Sequence, residues 1–550
     1  MYHADKYLNH VELKKLLQFW EKKFDQFFEF EVIEKTKNGR EIFLVTLSDK
    51  TGAPHHEKPA YWVDGGTHAI EITSTQAALH TIDLLLKNPE FLKKYTVYVL
   101  PRISPDGVEH VLSTNILVRS SDKIYPNPDF EQGFKRSDIN GDGESLYIRK
   151  KDPNGRWKVS KKDPRIMLER ALTENDPDVQ YYRLYIEGEF SNFDGFHELP
   201  GNNPGLDFNR NYPTGWAPKG QTPGAGDYPL SEKEPRCVVD AIGKRKNIVM
   251  LQTFHTFSGV TLRPFADKSD DEMPPHDLYV YKELGKLAKE INGYDTISVF
   301  HDFLYHPKMK ANGCFLLWSY ETMGILSFCT ELWNIKDYVG LEKDYIKDLL
   351  HGYSEEELLK ILVFMDKDHS EVDIFSDWKA YSHPQLGEVE IGGLKMLKLI
   401  SNPPEKFLEE LVEKQAQVIK DQLNCFPQVE ISEFKTQKIN DDLTKLEVVI
   451  TNSGTLPTYG SQQTLNNKNI SPPRVELSTI DCECIQGELA QEFAHLEGRT
   501  SSPIIQNPLF TLDINNHQKK FEWILRGSGL AQLKFTLGKA GVIRKKIQIN

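Results

Sequence analysis

His68 and Glu71 stand three residues apart behind a Gly65-Gly66 turn, and His255 follows far downstream in Phe254-His255-Thr256. Two imidazoles and one carboxylate are the donor set a catalytic zinc ion uses when a fourth position must stay open for water. A pair at i, i+3 at the start of a helix lies on one face, so both side chains can reach one ion. A lone His-x-x-Glu match arises often by chance, so its weight depends on what surrounds it.

The surroundings supply the scaffold. Ala60-Tyr61-Trp62-Val63-Asp64 reads as a buried strand, Gly65-Gly66 as a tight turn, and Ile72 to Leu86 as an amphipathic helix. Lys94 to Leu100, Asn247 to Thr253 and Leu326 to Glu331 read as further strands. Tyr279 to Ile291, Lys343 to Leu350 and Pro403 to Asn424 carry helical spacing. Interleaved strands and helices predict an α/β fold, a mixed central sheet flanked by helices. In such sheets functional residues collect at the carboxyl ends of strands. His68, His255 and Glu331 all fall at or just past such ends.

After Cys425-Phe426-Pro427 the pattern changes to short alternating strands, at Val429–Ile431, Leu446–Ile450, Arg474–Leu477, Phe521–Leu525 and Leu533–Leu537. Turn clusters at Thr451–Thr455 and Arg526–Gly529 separate them, which predicts a C-terminal β-sandwich. The expected organisation is therefore a catalytic domain over residues 1–425 and an accessory sandwich of immunoglobulin or fibronectin type over 426–550. Leu456 to Ser471 is polar and reads as a loop.

Bulk properties exclude some functions. The chain has 550 residues, 39% hydrophobic and 27% charged, with 67 basic and 80 acidic side chains for a net charge of −13. Nucleic-acid binding needs a basic surface to displace counterions, so nucleic acid is not an expected partner. No run of eighteen apolar residues is present, so no membrane span is expected. Met1 to Trp20 lacks an apolar signal core, and the six cysteines do not form a disulfide framework. Both point to a cytoplasmic protein, or to a secreted one whose leader has been removed. Asp138-x-Asn140-x-Asp142-Gly143 matches the first half of a calcium loop. Its twelfth position is Arg149 where a bidentate Glu is needed, so it reads as an Asx-rich turn.

Five ordered stretches give the chain a resemblance to the zinc carboxypeptidase family typified by carboxypeptidase A. They are Gly65-Gly66-Thr67-His68-Ala69-Ile70-Glu71, Ser104-Pro105-Asp106-Gly107, Asp207-Phe208-Asn209-Arg210-Asn211-Tyr212, Phe254-His255-Thr256 and Phe328-Cys329-Thr330-Glu331. The resemblance spans roughly residues 30 to 340. It implies one zinc ion per chain held by His68, Glu71 and His255, the ligand set of the family's type enzyme. The rival ligand is His197, in a Gly- and Pro-rich loop.

The same resemblance implies the remaining roles. Glu331 is the expected general base that takes a proton from water and returns it to the leaving amine. Asn209 and Arg210 are expected to hold the free carboxylate of a peptide C-terminus, a task suited to the planar guanidinium fork. Arg149 resembles the arginine that supports the oxyanion, with Arg119 and Arg136 as nearby alternatives. Tyr305 is the expected tyrosine closing over substrate, with Tyr320 the alternative. Leu316 falls at the base of the specificity pocket and implies apolar C-terminal residues.

The segment around residues 150–205 is an insertion expected to rim the cleft. The expected activity is zinc-dependent removal of C-terminal residues from peptides or proteins. The alternatives are an amidase of the same fold acting on cell-wall peptides or polyglutamyl tails, and a peptide-binding module without catalysis.

Overall fold

The computed structural model describes residues 2–123, 125, 133–191, 205–218, 220–304, 310–395, 397–501 and 516–549. Its centre is an eight-stranded mixed sheet. In spatial order the strands are Phe28–Lys35, Glu41–Leu47, Thr96–Leu100, Ala60–Asp64, Ile248–Thr256, Leu326–Leu332, Val260–Arg263 and Thr296–Ser298. The four strands from Thr96–Leu100 to Leu326–Leu332 run parallel, and the outer pairings include antiparallel ones.

Side-chain alternation splits the core between two faces of this sheet. Tyr61, Val63, Val97, Val99 and Val249 face one way, against Leu13, Leu17 and Trp20 of the His10–Lys23 helix and buried residues of the Ile72–Lys87, Pro275–Asn292 and Glu405–Leu423 helices. Ala60, Trp62, Tyr98, Leu100 and Leu251 face the other way, against Val238, Ala241 and Ile242 of Lys233–Gly243. Layers on both faces are why Ala60–Asp64, Thr96–Leu100 and Ile248–Thr256 are buried along their whole length.

Two parts of the fold differ from expectation. Tyr147–Lys151, Trp157–Val159, Met167–Glu169 and Tyr181–Ile186 join Phe375–His383 and Gly387–Leu394 in a separate six-stranded antiparallel sheet. The described part of the insertion is thus ordered sheet, completed by Phe375–His383 and Gly387–Leu394 from far downstream in the chain. The Leu456–Ser471 stretch, expected to be loop, contains a short helix at Gln462–Asn466.

Residues 429–549 build two four-stranded antiparallel sheets. Leu446, Val448, Ile450, Trp523 and Leu525 from one and Val475, Leu477, Leu533, Phe535 and Ile547 from the other share one core. The Asp138–Asp142 turn is closed by its own Asx bonds, with Asp138 accepting from the amides of Gly141, Asp142 and Gly143. Among the described residues no helix is long and apolar enough to cross a membrane.

Candidate metal centre

Three neighbouring parallel strands deliver the site. Ala60–Asp64 leads into the loop bearing His68 and Glu71, Ile248–Thr256 carries His255, and Leu326–Leu332 carries Glu331. Because the last two run parallel in register, His255 pairs directly with Glu331. The Gly65-Gly66 turn is dictated by crowding. A Cβ on Gly65 would lie 2.3 Å from the Ser74 carbonyl, and Gly66 has φ +67° with the Arg102 backbone 3.1 Å from its Cβ position. His68 and Glu71 precede the helix rather than sit on it. The helix begins at Ile72, and a turn bond from Glu71 N–H to the His68 carbonyl, 3.2 Å, sets the two on one side.

The trio converges. His68 Nδ1 lies 2.7 Å from Glu71 Oε1, and His255 Nδ1 lies 2.9 Å from Glu71 Oε2 and 3.1 Å from His68 Nδ1. All three residues are buried. Among the described residues this is the one group of three or more His, Cys, Asp or Glu side chains arranged to hold a metal ion. The donor set fits zinc. Bonds of about 2.1 Å in a tetrahedral shell space the donor atoms about 3.4 Å apart, close to what these residues show. The two Nδ1 atoms and the carboxylate point at one place, where a cation could be held by all three residues.

The outer contacts fix the orientation. His68 Nε2–H donates to Asp207 Oδ1 at 3.0 Å, which leaves the lone pair on Nδ1. Asp207 Oδ2 accepts from Arg119 Nε at 3.2 Å, and Arg119 Nη1 reaches Glu71 Oε1 at 3.2 Å. Asp207 stood within a recognised stretch, but its part in orienting His68 emerges only in three dimensions.

Three carboxylates near this point have different proton affinities. Burial alone would raise Glu71, but the two imidazoles and their hydrogen bonds outweigh it and hold the group far below its usual range. Burial also opposes ionisation of Asp207, where Arg119, His68 and Arg210 win and hold it well below normal. Glu331 goes the other way. Burial pushes it up, Glu71 adds to the rise, His255 opposes it, and it ends at about 8.

The other expected residues are placed as follows. Asn209 Oδ1 accepts from Phe315 N–H at 2.8 Å, and Arg210 donates to the Asn209 carbonyl at 2.8 Å. The charge of Arg210 is felt by both Asp207 and Glu331. Leu316 is buried in the main core. Tyr305 and His197 lie outside the described residues, and Tyr320 is fully buried with its hydroxyl donating to Asp277.

Arg149 has partners of its own. Its guanidinium donates to Glu390 at 2.8 Å and lies over the rings of Trp378 and Tyr182, in the six-stranded sheet. The arginine folded against the trio is Arg119.

A family model described as zinc carboxypeptidase matches residues 13–356, and one described as a domain of unknown function matches 428–548. Carboxypeptidase B of Astacus astacus is 23% identical over 279 residues, covering 50% of this chain and 66% of its own length. Similar solved structures include thrombin activatable fibrinolysis inhibitor, with TM-score 0.39, 18% identity and coverage of 67% of this chain and 76% of that one. Carboxypeptidase A from Helicoverpa armigera has TM-score 0.40, 16% identity and coverage of 60% and 65%. With the first match extending over more than half of its residues, the chain belongs to the zinc carboxypeptidase family.

Proposed function

We propose that the protein is a zinc-dependent metallocarboxypeptidase that removes residues from the C-termini of peptides or proteins. The observation that carries this is the meeting of His68, Glu71 and His255 at one buried point, with Glu331 paired in register beside His255. One zinc ion held there would polarise the scissile carbonyl and bring water into the range where it gives up a proton near neutral pH.

The chain's own residues supply the rest. Glu331, half-buried with a raised proton affinity, accepts the proton of the attacking water and delivers it to the departing amine. Arg210 and Asn209 receive the terminal carboxylate, because a guanidinium beside an amide offers the paired donors that group needs. Arg119 takes the oxyanion role that the sequence suggested for Arg149. Its guanidinium already neighbours Glu71, so it stands where charge develops on the carbonyl oxygen. In this reading Leu316 lies at the base of the specificity pocket and favours apolar C-terminal residues. Residues 1–425 form the catalytic unit in this reading and 426–550 an accessory one. Six unpaired cysteines favour a reducing compartment.

The test is digestion of a peptide panel followed by mass spectrometry. Stepwise loss of single C-terminal residues, abolished by a chelator and restored by zinc, is the expected result. Release only from branched or cell-wall amides would favour the amidase reading. Binding without cleavage would defeat both.

A further inference from the structure

The helix that holds Asn209 has its far end in the C-terminal sandwich. Residues 315–322 form one continuous helical segment, Phe315–Leu317 followed by a wider turn over Trp318–Thr322. Its first amide, Phe315 N–H, donates to Asn209 Oδ1, and the Gly313 carbonyl just before it accepts from Tyr212 N–H at 2.9 Å. That end therefore fixes the Asn209–Arg210 pair.

A helix leaves its last carbonyls without partners inside the helix. Here side chains from residues 461–469 provide them. The Glu321 carbonyl accepts from Gln463 Nε2 and Asn467 Nδ2 at 3.2 and 2.6 Å. The Thr322 carbonyl accepts from Asn467 Nδ2 and Asn469 Nδ2 at 3.0 and 2.6 Å. The Gly324 carbonyl accepts from Ser461 Oγ and Thr464 Oγ1, both at 2.6 Å, and from Lys539 Nζ at 3.3 Å. Asp277 completes the joint from the catalytic side. Fully buried, it accepts from Tyr320 OH and from the amides of Gln462 and Gln463, at 2.8, 2.7 and 2.9 Å.

Surface domains tethered for docking usually meet their neighbours through sparse, wet contacts. The inner part of this joint is buried, with Ser461, Thr464, Tyr320 and Asp277 all inaccessible, while the bonds to the Thr322 carbonyl lie at its exposed rim. Two residues beyond Gly324 the Leu326–Leu332 strand starts, and Glu331 is its penultimate residue. One turn thus lies between the carboxylate-binding helix and the strand of the proposed base.

We propose that the sandwich serves as the C-terminal cap of the 315–322 helix, so that Ser461, Thr464 and Asn467 are positioning residues for the substrate carboxylate. The inference rests on the carboxypeptidase reading for its substrate and on contacts alone for the brace. It predicts a KM effect. Loosening the cap frees Phe315 N–H and with it Asn209, while the metal ligands and Glu331 keep their own strand contacts.

The experiment uses the full chain with Thr464→Val, which removes one hydroxyl donor, Thr464→Ser, which keeps it, and Gly324→Ala. A Cβ at Gly324 would lie 2.6 Å from Thr464 Cα and act as a wedge. Lys520→Ala, on an exposed strand of the sandwich, is the control. Three quantities are read: zinc content, amide hydrogen exchange over residues 313–332, and the Kd of a peptide with a free C-terminal carboxylate, measured in a Glu331→Gln background.

In Thr464→Val and Gly324→Ala, exchange at 315–325 is expected to rise at least tenfold and Kd about tenfold, with zinc content unchanged. A C-terminally amidated peptide should show no shift, and Thr464→Ser and Lys520→Ala should match the parent. Unaltered exchange and Kd in both disrupting variants overturn the proposal. If those two fail to fold, the parent decides. Exchange at 318–325 as fast as in exposed turns overturns the brace, and strong protection there with a parent-like Thr464→Ser upholds it. Absence of peptide cleavage by the parent would strike the functional reading and leave the exchange result standing.

Discussion

Replacing Asp207 tests how the site prepares itself for metal. Its Oδ1 receives His68 Nε2–H at 3.0 Å and its Oδ2 receives Arg119 Nε at 3.2 Å. His68 is 2% exposed, so little water can take over the lost bond. Asp207→Ala therefore frees the imidazole to turn and to place its proton on Nδ1, the atom needed as a ligand. Removing such a partner costs about 10- to 100-fold in metal affinity. That corresponds to about 1.4 to 2.8 kcal/mol at 1.4 kcal/mol per factor of ten. Asp207→Asn keeps one acceptor oxygen for His68 but turns an amide toward Arg119, so it should fall at the lower end. Competition for zinc against a chromophoric chelator gives the dissociation constants directly and does not depend on turnover. Circular dichroism checks that the fold is retained. If both variants hold zinc within twofold of the parent, Asp207 does not orient His68 and the account of the outer contacts is wrong.

Glu331→Gln should retain zinc and lose about 10²- to 10⁴-fold in kcat, the range for a positioned proton carrier. Turnover near the parental rate in that variant would remove Glu331 from the mechanism. Arg119→Ala should cost about 10²- to 10³-fold in kcat, whereas Arg149→Ala should lower thermal stability through the lost Glu390 bond and leave kcat within a few-fold. The opposite pattern would reinstate Arg149. In the metal-free chain Glu331 binds its proton more tightly when folded, with its value raised to about 8. Its contribution to stability is therefore present below the unfolded value of about 4.3 and is lost as pH climbs from there to about 8. Carbon NMR of the labelled carboxyl in chelated protein reads this, and a midpoint near 4.3 contradicts it. Lys539, buried near Asp277, is lowered to about 7 by burial. Folding thus opposes its charge below pH 7, and the penalty fades as pH rises from 7 to 10.5. Lys539→Met should gain stability over the parent at pH 6 and much less at pH 10, and chemical denaturation that shows equal differences at both would refute the burial argument.

The fold class and the positions of the candidate ligands were legible in the sequence, and parts of the framework around them were not. His68, Glu71, His255 and Glu331 could be read because each sits beside a strand end, and strand ends leave local marks: an apolar run, then a turn. Arg119 and Arg149 leave no comparable mark. Which arginine meets Glu71 depends on how distant segments stack, and Arg149 is claimed by Glu390, 241 positions away. The six-stranded sheet was hidden for the same reason. Gly387–Leu394 lies between Phe375–His383 and Tyr147–Lys151, a pairing that no window of sequence contains. The Gln462–Asn466 helix looked like loop because a five-residue stretch with four polar side chains has no helical drive of its own. Asp277 caps it from the other side of the joint.

Glu71, Asp207 and Glu331 are chemically near-identical groups around one candidate metal site, and their surroundings divide the labour among them. Glu71 faces both imidazoles and Arg119, so it stays ionised and free to bind a cation. Asp207 faces Arg119 and the outer nitrogen of His68, so its charge is spent on holding that ring. Glu331 lies next to His255 but also feels the charge of Glu71, and among the described residues no hydrogen bond or ion pair to its carboxylate is seen. It is the one of the three whose proton can come and go. Two of these carboxylates could exchange places in the sequence without changing its composition or its motif-like appearance. The roles follow from which cations folding sets beside each, and a group must be released from strong partners before it can act as a base.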